Sequence, residues 1–286
     1  MQLTDIGAVK KLLARHGFKF SKAMGQNFLV NPSVCPRMAD SCGADASTGV
    51  LEIGPGIGVL TKELAQRASK VVAIELDQRL FSVLNETLAE FNNITLVSGD
   101  AMKLNLRELL AQEFGDMPVV VCANLPYYIT SPLIMKLLEE RLNLRSITVM
   151  VQKEAADRLC ARVGSRESGA VTVAVHFYAE PKRLFTVSPG SFLPPPRVDS
   201  AVLRMDLLEH PPVDANREAL FRVVRAGFSQ RRKTLCNALS SSLSLPKEKV
   251  QASIDTCGLA LSIRAEQLSL EDFARLTKAL FEDSSS

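Results

Sequence analysis

The sequence predicts an α/β protein with a mainly parallel, seven-stranded sheet, followed by a small all-helical domain. Short apolar runs, typical of buried strands, alternate with helical segments from residue 50 onward. A glycine-rich turn at residues 54–58 follows the first of these runs. Beyond Pro211-Pro212 the hydrophobic spacing is only helical. We therefore expect a sheet domain at residues 1–208 and a helical domain at residues 209–286.

The predicted elements follow from hydrophobic periodicity and from capping residues. Strands are predicted at 50–53, 71–75, 94–98, 119–123, 146–151, 171–178 and 200–206. Helices are predicted at about 5–16, 32–42, 59–68, 77–90, 106–114, 132–141 and 152–162, and in the second domain at 216–228, 230–242, 247–257 and 270–281. Ligands of such sheets bind beyond the C-terminal ends of the strands, where Gly54, Glu75, Asp100 and Asn124 are expected.

Composition restricts the class of protein. The chain has 286 residues, of which 47% are hydrophobic and 23% charged, as in ordinary globular proteins. No apolar run approaches the roughly 18 residues of a membrane span, and the N-terminus lacks the apolar core of a signal peptide. The six cysteines and three histidines are scattered, so neither a disulfide framework nor a metal site is indicated. We expect a cytoplasmic protein with no membrane and no metal partner.

Positive charge is concentrated in two segments, although the net charge is only +3. Residues 10–22 carry five basic residues and no acidic one. Residues 217–233 carry six basic residues and one acidic residue, a local charge of +5, and include Arg231, Arg232 and Lys233. Such segments attract nucleic-acid phosphates, whereas a solvated helix face is the alternative for either one alone.

The glycine-rich turn has the spacing Gly54-x-Gly56-x-Gly58. Glycine allows sharp turns and a close approach of the backbone to a ligand. A dinucleotide site would need its third glycine one position later, so a nicotinamide cofactor is a weaker alternative. A purely structural turn, with no ligand, is a second weaker alternative. The spacing resembles the S-adenosylmethionine loop of the Rossmann-like class I methyltransferases. Glu75, at the end of the next strand, would accept hydrogen bonds from ribose hydroxyls.

Three further positions favour methyl transfer to an adenine. The carbonyl oxygens of Asn124 and Leu125 would accept the two N–H groups of an exocyclic amine, while Pro126 stiffens the turn and Tyr127 stacks on a flipped base. Asp100 would accept from the adenine amine of the donor, or else cap a helix. Phe192 is either a second stacking surface or a core residue.

Together these motifs resemble the ribosomal RNA adenine dimethyltransferase family of the bacterial KsgA type. The resemblance covers almost the whole chain. It is carried by the segments Gly25-Gln26-Asn27-Phe28-Leu29, Glu52-Ile53-Gly54-Pro55-Gly56, Glu75-Leu76-Asp77, Gly99-Asp100-Ala101, Asn124-Leu125-Pro126-Tyr127, Phe192 to Ala201 and Phe228 to Leu235. It implies dimethylation at N6 of two adjacent adenosines near the 3′ end of 16S ribosomal RNA, with S-adenosylmethionine as donor.

The resemblance also implies roles for individual residues. By the family pattern, the residues that contact the donor or lie beside it are Asn27, Leu29, Gly54, Glu75, Asp100 and Asn124. The glycine spacing adds Gly56 and Gly58 to the donor site. The stacking and charge arguments above assign RNA binding to Tyr127, Phe192, Arg231, Arg232 and Lys233. The implied partner is the small-subunit precursor with its 16S RNA, bound by a monomer. Two alternatives are the related family that methylates large-subunit RNA and a non-enzymatic binding protein of the same fold.

Overall fold

The computed structural model describes residues 2–20, 25–230 and 232–281. Its strands are β1 Phe28–Leu29, β2 Gly49–Ile53, β3 Lys70–Glu75, β4 Ile94–Ser98, β5 Val119–Asn124, β6 Leu144–Gln152, β7 Ala179–Val187, β8 Phe192–Leu193 and β9 Ser200–Leu207. Its α-helices are α1 Ile6–Arg15, α2 Val34–Ser41, α3 Val59–Ala65, α4 Phe81–Thr87, α5 Leu106–Phe114, α6 Thr130–Glu139, α7 Lys153–Leu159, α8 Ala170–Tyr178, α9 Arg217–Phe228, α10 Leu235–Leu243, α11 Lys247–Thr256 and α12 Leu270–Phe281. Within this part of the chain, no helix is long and apolar enough to cross a bilayer.

Seven strands form one sheet in the order β4-β3-β2-β5-β6-β9-β7, and β1 pairs with β8 in a separate ribbon. The pairs β2–β3, β3–β4, β2–β5 and β5–β6 are parallel, whereas β9 runs antiparallel to β6. The predicted mainly parallel, seven-stranded sheet is therefore confirmed. The chain builds the sheet outward from β2 in one direction and then returns to continue from β5. Ligand crevices form at such a reversal, beyond the carboxyl ends of the strands.

Contacts divide the chain into two compact units. The first comprises Met1–Ala156 and Pro181–Leu207, and the second comprises Asp157–Glu180 and Leu208–Ser286. The second unit thus includes a segment that precedes residue 208 in the sequence. The functional division at residue 208, with donor binding before it and RNA binding after it, remains a prediction.

Two hydrophobic clusters form the core of the first unit. One joins α2 and α3 to the sheet and includes Met38, Leu64 and Met150, which are almost fully buried. The other joins α1 and α4 to Phe28 of β1 and to Ile57 of the glycine-rich loop. Helix α1 begins as predicted, because the side chain of its N-cap residue, Asp5, accepts a hydrogen bond from the amide of Ala8. Both clusters hold loop residues at the carboxyl edge of the sheet.

The described part of the second unit is mainly helical and contains α8 to α12. Phe177 of α8 packs edge-on against Phe221 of α9, with ring centroids 5.1 Å apart. Phe228 of α9 lies beside Phe273 of α12, which is fully buried. The four helices predicted after residue 211 are all present, although α10 begins five residues later than predicted, after the cap residue Thr234.

The prediction of a strand at 171–178 is wrong, because this segment forms helix α8. Its residues are nearly all apolar and many are β-branched, a pattern that does not distinguish a strand from a helix buried on most sides. The side chain of Thr172 accepts a hydrogen bond from the amide of Gly169 and so caps the first turn. The seventh strand is instead β7, which was missed because its exposed polar residues, such as Glu180 and Lys182, interrupt the apolar pattern.

Gly49 provides a test of packing beneath the glycine-rich loop. A Cβ at this position would lie 2.4 Å from the ring of Phe114, which is buried. Gly49→Ala should therefore lower the free energy of unfolding by about 1–3 kcal/mol, the usual cost of overpacking. Gly190→Ala is the matched control, since nothing lies within 4 Å of its added Cβ. Urea denaturation of both variants measures the difference, and equal stabilities would contradict the packing described here.

Candidate active site

A cavity of about 190 Å³ opens at the carboxyl edge of the sheet, between the ends of β2, β3, β4 and β5. Most of the residues predicted to bind a ligand line it. They are Asn27, Leu29, Gly54, Gly56, Glu75, Asp100, Asn124, Leu125, Pro126 and Tyr127. The register of the sheet explains this convergence. Glu75 lies beside Ser98 of β4, and Asn124 ends β5 directly across from Met150 of β6.

The glycine-rich loop forms one wall of the cavity. Gly56 has a φ of +60°, and a Cβ there would lie 3.1 Å from the ring of Phe28. Both the backbone conformation and the limited space therefore favour glycine at this position. Gly58 also has a positive φ, of +87°, but its missing side chain faces Leu88 rather than the cavity. Gly58 thus allows the turn into α3 and does not itself line the cavity.

Glu75 holds the glycine-rich loop against the end of β3. Its carboxylate accepts hydrogen bonds from the amide of Gly56 at 3.2 Å and from the amide of Asp77 at 2.8 Å. Only 7% of the residue is exposed. Burial raises the pKa of Glu75, and the two backbone amides partly offset this rise by stabilising the ionised form. The carboxylate is thus positioned to accept hydrogen bonds from ligand hydroxyls.

Asp77 connects this wall with the N-terminal segment. Its carboxylate accepts hydrogen bonds from Gln26 at 2.8 Å and from the guanidinium of Arg79 at 2.7 and 2.9 Å. The bonds from Arg79 lower the pKa of Asp77. Arg79 also donates to the carbonyl of Lys19 and lies 5.1 Å from the ring centroid of Phe18. Gln26 and its neighbours therefore lie over the cavity as part of a hydrogen-bonded network.

Asn27 and Leu29 both belong to this covering segment and line the cavity. The side chain of Asn27 donates to the carbonyl of Gly25 at 2.9 Å, which closes a tight turn. Leu29 is buried, and its backbone pairs with that of Phe192 in the short β1–β8 ribbon. This pairing joins the covering segment to the loop before β9.

Asp100 lines the cavity after β4 and also caps a turn. Its carboxylate accepts a hydrogen bond from the amide of Met102 at 2.9 Å. Both roles considered for Asp100 are thus compatible with its position. A carboxylate has two oxygens and accepts several hydrogen bonds at once, so capping leaves it able to accept from a ligand amine.

The segment Asn124 to Tyr127 forms the side of the cavity beyond β5. The amide nitrogen of Asn124 faces the carbonyl of Asn27 at 3.5 Å, which directs its carbonyl oxygen elsewhere. The backbone of Leu125 donates to the carbonyl of Met150 at 3.1 Å, so β6 fixes the turn. The hydroxyl of Tyr127 lies 2.7 Å from that of Ser200, and burial raises the pKa of Tyr127.

In the described part of the chain, the predicted RNA-binding positions other than Tyr127 are not among the residues that line the cavity. Phe192 is 4% exposed and packs in the core with Leu29, which agrees with the core alternative and not with an exposed stacking surface. Arg232 and Lys233 are in the helical unit, Arg232 with its side chain exposed. Arg231 lies outside the described residues. In the described part of the chain, no cluster of three or more potential metal ligands is found.

Comparison with known proteins identifies the family. The family description "Ribosomal RNA adenine dimethylase" matches residues 17–282. The chain belongs to this family. It is 46% identical to "Ribosomal RNA small subunit methyltransferase A" of Geobacillus thermodenitrificans over 279 residues, which are 96% of this chain and 95% of the relative. The protein of the same name from Bacillus licheniformis is also 46% identical, over 96% and 95% of the two chains.

Two solved structures share the fold of this ribosomal RNA adenine dimethylase family member. A dimethyladenosine transferase from Plasmodium falciparum has a TM-score of 0.71 at 28% identity, covering 87% of this chain and 95% of the other. The 23S rRNA methyltransferase ErmE has a TM-score of 0.67 at 27% identity, covering 89% and 99%. The predicted resemblance to the family is confirmed.

Glu52, Gln26 and Tyr128 also line the cavity, although the sequence predicts no site role for them. Glu52 directly precedes Ile53 and the glycine-rich loop. Its position as an acidic residue inside an apolar strand is the sequence feature that could have indicated a site role. Gln26 lies in a motif used only for the resemblance. Tyr128 is 56% exposed and follows Tyr127 in a short 3-10 turn, where nothing in the sequence distinguishes the two rings.

The Asp77 network predicts how firmly the covering segment is held. Arg79→Ala removes the bonds to Asp77 and to the carbonyl of Lys19, so opening of residues 25–30 should become easier. Amide hydrogen exchange in that segment should accelerate about fivefold, while exchange in β2 and β3 stays unchanged. Arg67→Ala is the control, because Arg67 pairs with Asp40 and Glu63. Equal amide exchange rates at residues 25–30 in the two variants would show that Asp77 holds the covering segment without the guanidinium of Arg79.

Proposed function

We propose that the protein transfers methyl groups from S-adenosylmethionine to N6 of two adjacent adenosines near the 3′ end of 16S ribosomal RNA, dimethylating each. Family membership over nearly the whole chain makes it a ribosomal RNA adenine methyltransferase. The single observation that supports small-subunit RNA most strongly is the 46% identity to proteins named for that activity, against 27% for the large-subunit enzyme. Large-subunit RNA is therefore the second candidate. The proposed partner is the small-subunit precursor, bound in the cytoplasm by a monomer.

The cavity fits the proposed donor. Gly56 brings the backbone to the cavity wall without a side chain, and Glu75 offers a buried carboxylate to ribose hydroxyls. Glu52 presents a second buried carboxyl group, one oxygen of which has no hydrogen-bond partner within the described residues. When bound, S-adenosylmethionine supplies an electrophilic methyl group on a positively charged sulfur. Gly54, Gly56, Glu75, Asp100, Asn27 and Leu29 would hold it, with Gly58 shaping the turn.

Asn124 and Leu125 would orient the target amine. The lone pair of an exocyclic adenine amine is delocalised into the ring, so the amine is a poor nucleophile. Two carbonyl acceptors, the side chain of Asn124 and the backbone of Leu125, favour a tetrahedral nitrogen whose lone pair points at the methyl group. The attachment of this turn to β6 preorganises both acceptors, which strengthens their effect on developing charge. The methylated nitrogen then releases a proton to solvent, so the reaction needs no general base.

Pro126 and Tyr127 would position the base itself. Pro126 lacks an amide hydrogen and fixes the turn, and the hydroxyl of Tyr127 is held by Ser200. A ring fixed in this way offers a flat surface on which a flipped adenine stacks. Phe192 supports the covering segment from the core and does not provide the opposite surface. The exposed ring of Tyr128 lies on the same side of the cavity and is a better candidate for RNA contact.

The proposed substrate is tested by labelling. The protein is incubated with S-adenosylmethionine carrying a labelled methyl group, together with immature small subunits, large subunits or DNA, and the label is mapped. We expect label only in small-subunit RNA, at N6 of two adjacent adenosines. Label in large-subunit RNA would support the second candidate instead. The absence of label from every substrate would favour the non-enzymatic alternative, a binding protein of the same fold.

The mechanism predicts that Asn124 matters more for chemistry than for RNA binding. Asn124→Ala should lower the single-turnover rate at saturating donor and RNA by about 10²-fold or more, roughly 3 kcal/mol of transition-state stabilisation. RNA affinity should change little, because it derives from many phosphate contacts. Asn143→Ala, at an exposed position, is the control. If the rate survives while RNA binding collapses, Asn124 is a structural residue and this mechanism is wrong.

The basic run after α9 predicts a salt-dependent share of RNA affinity. Replacing Arg232 and Lys233 by Ala, alone or with Arg231, should weaken binding of all RNA sequences alike and reduce the slope of log affinity against log salt by about 0.7–0.9 for each lost phosphate contact. The control replaces Lys182 and Arg183 of β7, which removes the same charge from exposed positions. Filter binding at several salt concentrations measures the slope for each variant. Equal slopes for the two variants would show that the basic run does not contact RNA phosphates.

A further inference from the structure

Residues 100–104 form a tight turn after β4, the Asp100 turn, which carries Asp100 to the cavity. The main-chain carbonyl of Asp100 accepts hydrogen bonds from the amides of Lys103 and Leu104 at 2.8 and 2.9 Å. Its carboxylate accepts a further hydrogen bond from the amide of Met102 at 2.9 Å. Because both the backbone and the side chain of Asp100 bond within the turn, the direction of its carboxylate depends on how the turn is held.

Lys136 of α6 holds the far end of the Asp100 turn. Its Nζ donates hydrogen bonds to the carbonyl of Met102 at 3.0 Å and to the carbonyl of Leu104 at 2.9 Å. The same Nζ lies 3.3 Å from the carboxylate of Glu140, one helical turn later. An ammonium group has three N–H donors, which these three oxygens match in number. The Lys136 side chain is 14% exposed, so this attachment is largely shielded from water.

Met102 and Leu104 are the residues through which Lys136 acts on Asp100. The amide of Met102 donates to the Asp100 carboxylate, while its carbonyl accepts from Lys136. The amide of Leu104 donates to the Asp100 carbonyl, while its own carbonyl also accepts from Lys136. Hydrogen bonds linked in this way polarise and strengthen one another. Lys136 is therefore connected to Asp100 by two short routes, each through a single residue.

Helix α6 gives Lys136 a rigid support. The inner face of the helix, which includes Ile134 and Leu137, is buried in the core. The guanidinium of Arg107, in the first turn of α5, donates to the carbonyl of Glu140 near the end of α6. The segment that follows the Asp100 turn is therefore attached to α6 as well. A group on a helix that is fixed by packing is held more precisely than a group on a loop.

We propose that Lys136 is a positioning residue for donor recognition, which holds the Asp100 turn so that the Asp100 carboxylate meets the exocyclic amine of the donor's adenine ring. This inference rests on the proposed function, since it takes S-adenosylmethionine as the ligand and Asp100 as the acceptor of its amine. Lys136 itself does not line the cavity. It therefore acts through the turn and not by contact with the donor.

This position predicts an effect on one functional group of the donor. A carboxylate accepts hydrogen bonds and donates none, so it stabilises an amine and gains nothing from a hydrogen atom on carbon at the same place. Hydrogen bonds also weaken steeply as they bend. Loosening the Asp100 turn should therefore reduce the contribution of the adenine amine to donor affinity. The contributions of the ribose and of the amino-acid part should stay unchanged.

The test compares two ligands by calorimetric titration: S-adenosylhomocysteine, and an analogue of it in which hydrogen replaces the amino group of the purine. The wild type should bind S-adenosylhomocysteine about tenfold or more tightly than the analogue, as expected for a hydrogen bond to a charged group. In Lys136→Met this ratio of affinities should fall to about threefold or less, through weaker binding of S-adenosylhomocysteine. Other differences between the two ligands cancel when the ratios are compared.

Two further variants serve as references. Asp100→Ala removes the acceptor itself, so its ratio of affinities should fall at least as far as that of Lys136→Met. Lys70→Met is the matched control, because the Nζ of Lys70 likewise donates to a main-chain carbonyl and pairs with a carboxylate, both of Glu113. Lys70 begins β3, at the opposite end of the strand from Glu75 and the cavity, so the ratio in Lys70→Met should equal that of the wild type.

The outcomes separate this inference from the proposed function. A ratio in Lys136→Met equal to that of the wild type would overturn the inference, whether the two ligands bind as before or both bind more weakly. Equal affinity of the wild type for the two ligands would overturn it too, because Asp100 would then not bind the amine. The proposed function fails only if the wild type binds neither S-adenosylmethionine nor S-adenosylhomocysteine.

A second substitution keeps the test decisive if Lys136→Met does not fold. Lys136→Gln retains an amide donor, but its side chain is uncharged and one bond shorter than that of lysine. It should also lower the ratio of affinities, and a ratio equal to that of the wild type would overturn the inference.

Discussion

The carboxylate of Glu75 is the interaction on which the architecture of the cavity depends. It joins the amide of Gly56 in the glycine-rich loop to the amide of Asp77 in the turn after β3. Asp77 in turn holds Gln26 and Arg79, which connects the loop to the segment that covers the cavity. One buried acid thus fixes the spacing of three segments that are distant in sequence. Movement of any one of them changes the hydrogen bonds of the other two.

This arrangement has an energetic cost. The pKa values of both Glu52 and Glu75 are raised by burial, so the folded protein binds their protons more tightly than the unfolded chain does. The sign of the linkage follows directly, because stability falls as pH rises wherever the folded state binds more protons. For Glu52 this loss extends from its ordinary value of 4.5 to about 8. The surrounding core of β2, β3 and α3 must compensate for this loss of stability.

Under the proposed function, the two compact units would divide the chemical tasks. The sheet unit contains the cavity and the acceptors at the end of β5, where geometry must be precise for bond making. The helical unit presents exposed basic side chains, which attract phosphates without requiring a fixed geometry. Strand ends provide the rigid positions that methyl transfer requires, whereas exposed helical surfaces and loops are sufficient to attract phosphates.

The sequence alone determined the fold class, the family and ten of the residues that line the cavity. Apolar strands alternating with helices require a covered parallel sheet, and the carboxyl ends of such strands meet at one edge. The sequence therefore predicts that Gly54, Glu75, Asp100 and Asn124 lie close together. Periodicity failed at 171–178, because a nearly continuous apolar run does not distinguish a strand from a buried helix.

Only the tertiary structure decided which side chains face the cavity and which face the core. For Phe192 the sequence leaves a stacking surface and a core position open, and Phe192 packs in the core. Gly58 is expected at the donor, but its missing side chain faces Leu88. The partnerless carboxyl oxygen of Glu52 likewise became visible only in three dimensions. Burial and hydrogen-bond satisfaction depend on contacts between residues far apart in the chain, and a local pattern does not encode those contacts.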